Sequence, residues 1–374
     1  MQYGRRRHLA AALLAALLTL PACTSIGPGK MVHDRTDYND SLTESWKRQM
    51  LLNIVKIRYV EPVFFMEVGD IVAAYSVETG GNAGFSRNMY DSPNPVTNNT
   101  NPVFGDFSRI ELGVNSRYTD RPTVTYKPMT GTPFRKGVIS PLPLHNVIAG
   151  LESGVSAQFM FSLGVRSING LHNAAVGIKG SIAVQQEFNR VAEILSHLQL
   201  LNALHLRFEP GGRERSGRYF VSFGGKNMSA EATSLIGELK RLLDLDPSVR
   251  EYEVIGSSEP ENRRQIAMQT YSLYQIMAFV ASRVDIPAPD VAGGRALPKA
   301  PNSPGEGVIG EVAVRSGNAK PQDPFVAANF HGHWFWVDNN DLGTKRVFSF
   351  LSLAFTLMEE KSPGSALQMT VPVN

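Results

Sequence analysis

Cysteine is the scarcest resource of this 374-residue chain: Cys23 stands alone. One thiol closes no internal disulfide, so the fold must be held by its core rather than by a covalent framework. Long apolar runs are missing as well. The stretch Leu9 to Leu20 is twelve residues, short of the roughly 20 that a membrane-spanning helix needs, and nothing after it comes closer. Charge of one sign is also lacking: 37 Lys and Arg face 34 Asp and Glu, and Arg5, Arg6 and Arg7 make up the whole difference. Without a basic excess there is no electrostatic footprint for nucleic acid. Catalytic spellings are absent too: no Gly-x-Ser-x-Gly elbow, no His-Glu-x-x-His, no Gly-Lys-Ser/Thr phosphate loop. Gly305-Glu306-Gly307-Val308-Ile309-Gly310 satisfies the dinucleotide spacing, but it lies in a proline-rich stretch ahead of a strand instead of opening a helix.

What is present begins at the N-terminus. Three arginines precede the apolar run, and Leu20-Pro21-Ala22-Cys23 closes it, the layout of a secretory signal over 1–22. The closing residues resemble the lipobox of bacterial lipoproteins, in which the cysteine is acylated, with palmitate among the chains, and becomes the mature N-terminus. The resemblance implies lipidation at Cys23. Acyl chains bury about 0.8 kcal/mol per methylene, enough when several are present to hold a protein on a bilayer. Thr24, where Asp would favour the inner membrane in such families, implies the periplasmic face of the outer membrane. Residues 23–36 then form a lipidated tether. Its loose part, Thr24 to His33, would reach about 35 Å if extended.

The rest predicts an α+β protein of two or three small modules, with helices packed on mixed or antiparallel sheets. An N-terminal domain spans 37–170. It opens on an amphipathic helix over Asp37–Tyr59, with Leu42, Trp46, Met50, Leu51, Ile54 and Val55 at helical spacing, ended by Pro62. A strand is expected next, over 63–77. The Gly, Asn, Ser and Pro of 79–106 predict a long loop, and 107–117 with 123–126 read as paired strands. Two helices, 143–152 and 156–165, close the domain. The second half reads helix, strand, strand, helix, strand over 182–258. The same order is expected over 268–372, with a helix at 269–284, a linker at 285–307, strands at 308–315 and 325–337, a helix at 344–358 and a strand at 367–371. Each unit would bury one sheet face under two helices.

That order is similar to the ring-building motif of periplasmic secretion-system rings, though element order alone carries the likeness. A second resemblance rests on Asp37-Tyr38-Asn39, on the run from Gln49 to Tyr59, on Arg121-Pro122-Thr123-Val124-Thr125-Tyr126, on Ile168-Asn169-Gly170, and on Trp334-Phe335-Trp336-Val337-Asp338 with the run from Lys345 to Phe350. In these the chain resembles a recurrent family of proteobacterial outer-membrane lipoproteins with no assigned activity. The likeness implies a membrane-anchored envelope protein and transfers no mechanism.

Candidate chemistry concentrates near the C-terminus. His331 and His333 flank Gly332 on an expected strand, so both imidazoles would share a face, with Asp338 and Asp341 nearby as further weak metal candidates. The bland reading, an exposed strand face running into a turn, is preferred, and no metal or cofactor is expected. Asp338-Asn339-Asn340-Asp341-Leu342-Gly343 lacks the oxygen ligand that a calcium loop needs at its fifth position, and reads as a turn with Asp341 or Thr344 capping the next helix. Lys345 and Arg346 sit unfavourably at that helix N-terminus, so a salt link to Asp338 or Asp341 is expected. Trp334 and Trp336 alternate with Phe335. They are candidate partner-binding residues together with Lys345 and Arg346, although burial of the tryptophans beneath another element is the preferred reading.

The composite expectation is a lipid-anchored, non-catalytic adaptor or assembly scaffold of an envelope complex, bound to the membrane through its N-terminal lipid and to an envelope protein or a second copy of itself. An enzyme acting on envelope polymer or lipid, with a site near His331 and His333, and a small-ligand carrier are the alternatives.

Overall fold

The periodic apolar residues of 37–59 do form a helix, but α1 spans Pro28–Arg58. Proline is at home in a first helical turn, where its missing N–H is no loss, so the segment expected as a loose tether is helical from residue 28 onward. No residue from 34 to 49 is buried, whereas Met50, Leu51, Ile54 and Val55 are fully buried. The computed structural model describes residues 28–72, 75–88, 107–120, 123–173, 175–176, 182–183, 186–211, 217–225, 228–299 and 312–358. The signal, Cys23, Thr24, residues 89–106 of the expected loop and the expected strand at 367–371 lie outside them.

Residues 64–129 form one compact unit and the remainder another. In the smaller unit, β1 (Met66–Val72) pairs antiparallel with β4 (Thr123–Pro128), and β2 (Tyr75–Asn88) pairs antiparallel with β3 (Phe107–Asp120) from Tyr75↔Asp120 to Asn88↔Phe107. Thr79–Asn88 is therefore strand, not loop. Glycine and asparagine suggested irregular chain, yet a two-stranded ribbon is held by backbone hydrogen bonds, which glycine supplies as well as any residue. Asn115 lies over Gly80 and Asn82 over Gly113, each filling the space that a glycine leaves across the ladder.

The larger unit continues through α2 (Gly131–Phe134) with a π-turn at Arg135–Ile139, α3 (Leu144–Glu152), α4 (Ala157–Gly164), β5 (Val165–Ile168), β6 (Leu171–His172) and the short pair β7 (Ala175–Val176) and β8 (Ile182–Ala183). Then come α5 (Gln186–Leu200), β9 (Leu204–Glu209), β10 (Arg218–Phe223), α6 (Ala230–Leu242), β11 (Glu251–Ile255) and β12 (Gln265–Thr270). The chain closes with α7 (Leu273–Ser282), α8 (Ala288–Ala292), β13 (Arg315–Gly317), β14 (Pro324–Phe330), β15 (His333–Asp338) and α9 (Leu342–Met358). The class is α+β.

A six-stranded sheet, ordered β6-β5-β12-β11-β10-β9, is the backbone of this unit; β11 and β12 run parallel and the other neighbours antiparallel. Its strands come from both sides of the boundaries expected at 170/182 and 258/268, so those boundaries fall inside one sheet. Gln265–Thr270, expected partly as helix, is the strand that joins the two sides. The helix starts later because Ser272 accepts from the backbone N–H of Gln275 while the Gln275 side chain accepts from that of Ser272, a reciprocal cap. Asn169 stitches the sheet further: its amide donates to the Leu243 carbonyl at 2.7 Å and accepts from the Ala267 N–H at 2.7 Å. One face, with Val221, Phe223, Val254, Ile266 and Met268, packs under α3, α4 and α5. Over β9 to β11 the other face is a charged ladder in which Arg207 pairs with Glu251 at 2.8 Å and Arg218 with Glu209 at 3.2 Å.

Expected as one strand, 325–337 is instead a hairpin. His331 at φ 49° and Gly332 at φ 82° form its two-residue turn, with positive φ at both positions as a type I′ turn requires. With β13 it makes a three-stranded sheet, β13-β15-β14.

Candidate functional site

The hairpin turn separates the two histidines. His331 lies in the turn and its Nε2 is 2.7 Å from Glu61 Oε1; His333 begins β15 and its Nδ1 is 2.9 Å from Asn318 Oδ1. The shared face expected for them does not exist. Asp338 pairs with Arg315 at 2.5 Å and accepts from Trp336 Nε1 at 2.8 Å. Asp341 caps α9, accepting from the Thr344 N–H at 2.9 Å and the Thr344 hydroxyl at 2.6 Å. The four weak metal candidates thus hold separate partners, and among the described residues no group of three or more His, Cys, Asp or Glu is placed to bind a metal.

The expected salt link at the start of α9 takes another form. Lys345 donates to the Asn339 carbonyl at 3.0 Å and to its side-chain oxygen at 3.2 Å, while Asp338 is engaged by Arg315. The Lys345 ammonium also lies 5.2 Å from the centre of the Phe325 ring, which stacks edge-on against Phe348 of α9. Lys345 is therefore on the helix side of the three-stranded sheet, away from Trp334 and Trp336, and Arg346 is exposed.

The tryptophans sit where strand alternation sends them. Phe335 and Val337 are fully buried against the helices, and Tyr59, just past the end of α1, meets Phe335 edge-on. Trp334 and Trp336 occupy the opposite face and are half-buried. Cross-strand register sets Gly317 and Asn329 beside Trp334, and Arg315 and Ala327 beside Trp336. The Trp336 indole leans over Gly317, where a Cβ would stand 3.3 Å from the ring. Its N–H is fixed by Asp338, which Arg315 holds in turn, so the rotamer is locked from both ends. The Lys320 ammonium is 5.7 Å from the centre of the Trp334 ring. Gly317 escaped the sequence reading, although a glycine paired with a tryptophan strand marks a place where a ring crosses the neighbouring backbone.

Beneath the hairpin lies a polar lock that the sequence reading assigned to a linker. Asp290, in α8, is buried; it accepts from the Tyr59 hydroxyl at 2.5 Å and from Arg295 at 2.5 and 2.9 Å. Arg58, also buried, donates to the Pro298 carbonyl. The Tyr59 hydrogen bond, then Arg295, hold the Asp290 carboxyl below the usual carboxylate range. Burial, reinforced by Asp290, pushes the Tyr59 phenol above its ordinary value. Residues 285–299 are consequently pinned to the end of α1. The cue in the sequence was Pro287-Ala288-Pro289-Asp290, prolines opening a short helix with an acid in its first turn.

The apolar space between the six-stranded sheet and its helices, bordered by Leu151, Phe161, Leu195, Leu206 and Phe223, has a cavity volume of about 30 Å³. That is far below the roughly 300–1,000 Å³ of a small-molecule site, so this cavity holds no carried ligand. No family model, curated protein or solved structure matches the chain.

Proposed function

We propose that the chain is a lipid-anchored envelope protein of the proteobacterial lipoprotein type it resembles, held by acylated Cys23 at the periplasmic face of the outer membrane, and that it works as a non-catalytic adaptor for an envelope complex. The observation that carries the adaptor reading is the use made of polar groups around the hairpin. Tyr59 and Arg295 both donate to Asp290, and His331 bonds to Glu61, while the locked indole of Trp336 and its neighbour Trp334 face outward. Acid, base and phenol are spent on holding the structure, and the aromatic face is what is offered. A catalytic base, by contrast, needs an atom within reach of a substrate proton.

The anchor reading rests on Leu20-Pro21-Ala22-Cys23. Only four residues separate Cys23 from the start of α1, and the part of α1 preceding the buried Met50, 28–49, rises about 33 Å at 1.5 Å per residue. The spacer between lipid and core is thus stiff helix for most of its length. Metabolic labelling with a palmitate analogue and membrane fractionation test the anchor: wild type incorporates label and pellets with outer membranes, and Cys23→Ser does neither. A Cys23→Ser protein that still fractionates with membranes, alongside an unlabelled wild type, overturns it.

A further inference from the structure

The geometry points to the outer face of the three-stranded sheet as a carbohydrate-binding platform for a chain of hexopyranose units. It extends the adaptor reading by naming what the aromatic face holds, and it does not depend on the lipid.

A pyranose ring has two kinds of surface. Its faces carry C–H groups with slight positive charge, which favour the negative face of an aromatic ring. Its rim carries hydroxyls, which need donors and acceptors around that ring. The hairpin face supplies both. Trp336 is tilted over the backbone of β13 by the missing side chain at Gly317 and cannot swing away while Asp338 and Arg315 hold its N–H. Ala327 and Gly317 are too small to rise beside the indoles, so the neighbouring strands leave part of each half-buried ring open. Asn329, Lys320, Arg315 and Asp338 stand around them as hydrogen-bonding rim. Trp334 and Trp336 are two residues apart on one strand, about 6.8 Å, so a disaccharide reaches both.

Size and polarity weigh against the other occupants. Three strands about 4.8 Å apart, of three, seven and six residues, present on the order of 260 Å², well under the roughly 800 Å² each partner gives to a stable protein interface. Acyl chains would have to cover the Arg315–Asp338 ion pair, stripping water from two charges without replacing it. A second cation over Trp334 would meet Lys320.

The test titrates the full chain, kept in a detergent without a sugar headgroup, with cellohexaose, chitohexaose and mannohexaose, read by tryptophan emission and by calorimetry. The three probes share the pyranose face and differ in acetamido and axial substituents, so the responding one names the source. The expected result is saturable binding of at least one hexaose. Trp334→Ala and Trp336→Ala each weaken it at least about tenfold, and Gly317→Val, which displaces the indole, weakens it while preserving the circular dichroism melt. Leu200→Ala, an exposed change at the end of α5, leaves affinity unaltered. No saturable response to any hexaose at millimolar concentration overturns the proposal, as does equal binding by folded Trp334→Ala and Trp336→Ala. Should either alanine variant unfold, Asp338→Ala, which removes the acceptor of the indole N–H, and Lys320→Gln decide: unchanged affinity in both overturns it. Lipid labelling at Cys23 is a separate measurement, so loss of the anchor and loss of sugar binding are told apart.

Discussion

Val60 follows the last turn of α1 with φ 59°, a left-handed conformation that a β-branched side chain adopts only under strain. Its N–H bonds the Ile57 carbonyl at 3.1 Å and the next N–H, of Glu61, bonds Lys56 at 2.8 Å, the paired closing bonds of a helix C-terminus whose left-handed position is normally glycine. Val60 is 76% exposed, so little burial offsets the strain. Val60→Gly is expected to raise stability by roughly 1 kcal/mol, relief of the left-handed penalty outweighing glycine's extra chain entropy. Urea unfolding checks it: the midpoint rises at constant slope. The turn also aims Tyr59 inward at Asp290 and Glu61 at His331, so strain here orders two contacts of the polar lock.

Asp290 contributes a pH dependence with a definite sign. Its folded-state carboxyl titrates below its unfolded value, so its stabilisation is complete above about pH 4, the ordinary aspartate range, and is lost as pH falls through the folded-state value. Tyr59 acts at the other end: its raised phenol contributes stability that is complete below about pH 10 and fades as pH rises beyond that. Asp290→Asn is expected to cost about 1–3 kcal/mol at neutral pH, because the buried Tyr59 hydroxyl keeps at best a neutral acceptor. The same change flattens the acid limb of the stability profile below about pH 4. Urea midpoints measured across that range for both proteins decide it; parallel acid limbs would remove Asp290 from the account.

At the scale of elements, legibility followed the strength of the local signal. Helices α1, α5, α6 and α9 announce themselves through apolar residues at three- and four-residue steps, and the structure buries most of those residues, with Leu42 and Trp46 of α1 left outside the core. Strand β12 did not, because Gln265-Ile266-Ala267-Met268-Gln269-Thr270 is only six residues long, too short for period to separate strand from helix. The deciding cue lay just beyond it, in the Ser272 and Gln275 cap. The hairpin of β14 and β15 was hidden for a different reason: histidine is an uncommon occupant of a left-handed turn position, so His331-Gly332 did not look like the usual asparagine-glycine pair. Reading through the turn put both histidines on one strand face and created a metal candidate that the actual geometry dissolves. The alternation of Trp334, Phe335 and Trp336 survived, since all three lie within a single strand. Gly317 and Asp290 were out of reach because their partners are brought in from distant segments.

For the larger unit as a whole, the consequence is that residues 182–258 do not form an independent module. Their element order, helix, strand, strand, helix, strand, is present as expected, but it is a piece cut from a larger sheet. Truncation after residue 258 takes away β12 and opens the edge of β11, where Tyr252 and Val254 are buried. Truncation before residue 182 strips α4 from α5: Phe161 no longer packs on Phe188, and Gln199 loses the Leu151 and Val155 carbonyls that its amide binds at 3.1 and 3.0 Å. The apolar layer is then wet at the β11 edge and along the side of α5 that α4 covered, and about 77 residues with an incomplete core fall where a single domain is marginal. Expressed alone, 182–258 is expected to show poorly dispersed amide proton shifts and no cooperative thermal transition. In the full chain, by contrast, the slowest-exchanging amides of β5, β11 and β12 should exchange together as one unit, because each strand supplies its neighbour's hydrogen bonds. A dispersed spectrum with a sharp melt from the isolated fragment would restore the modular reading and, with it, a chain built from separable repeats.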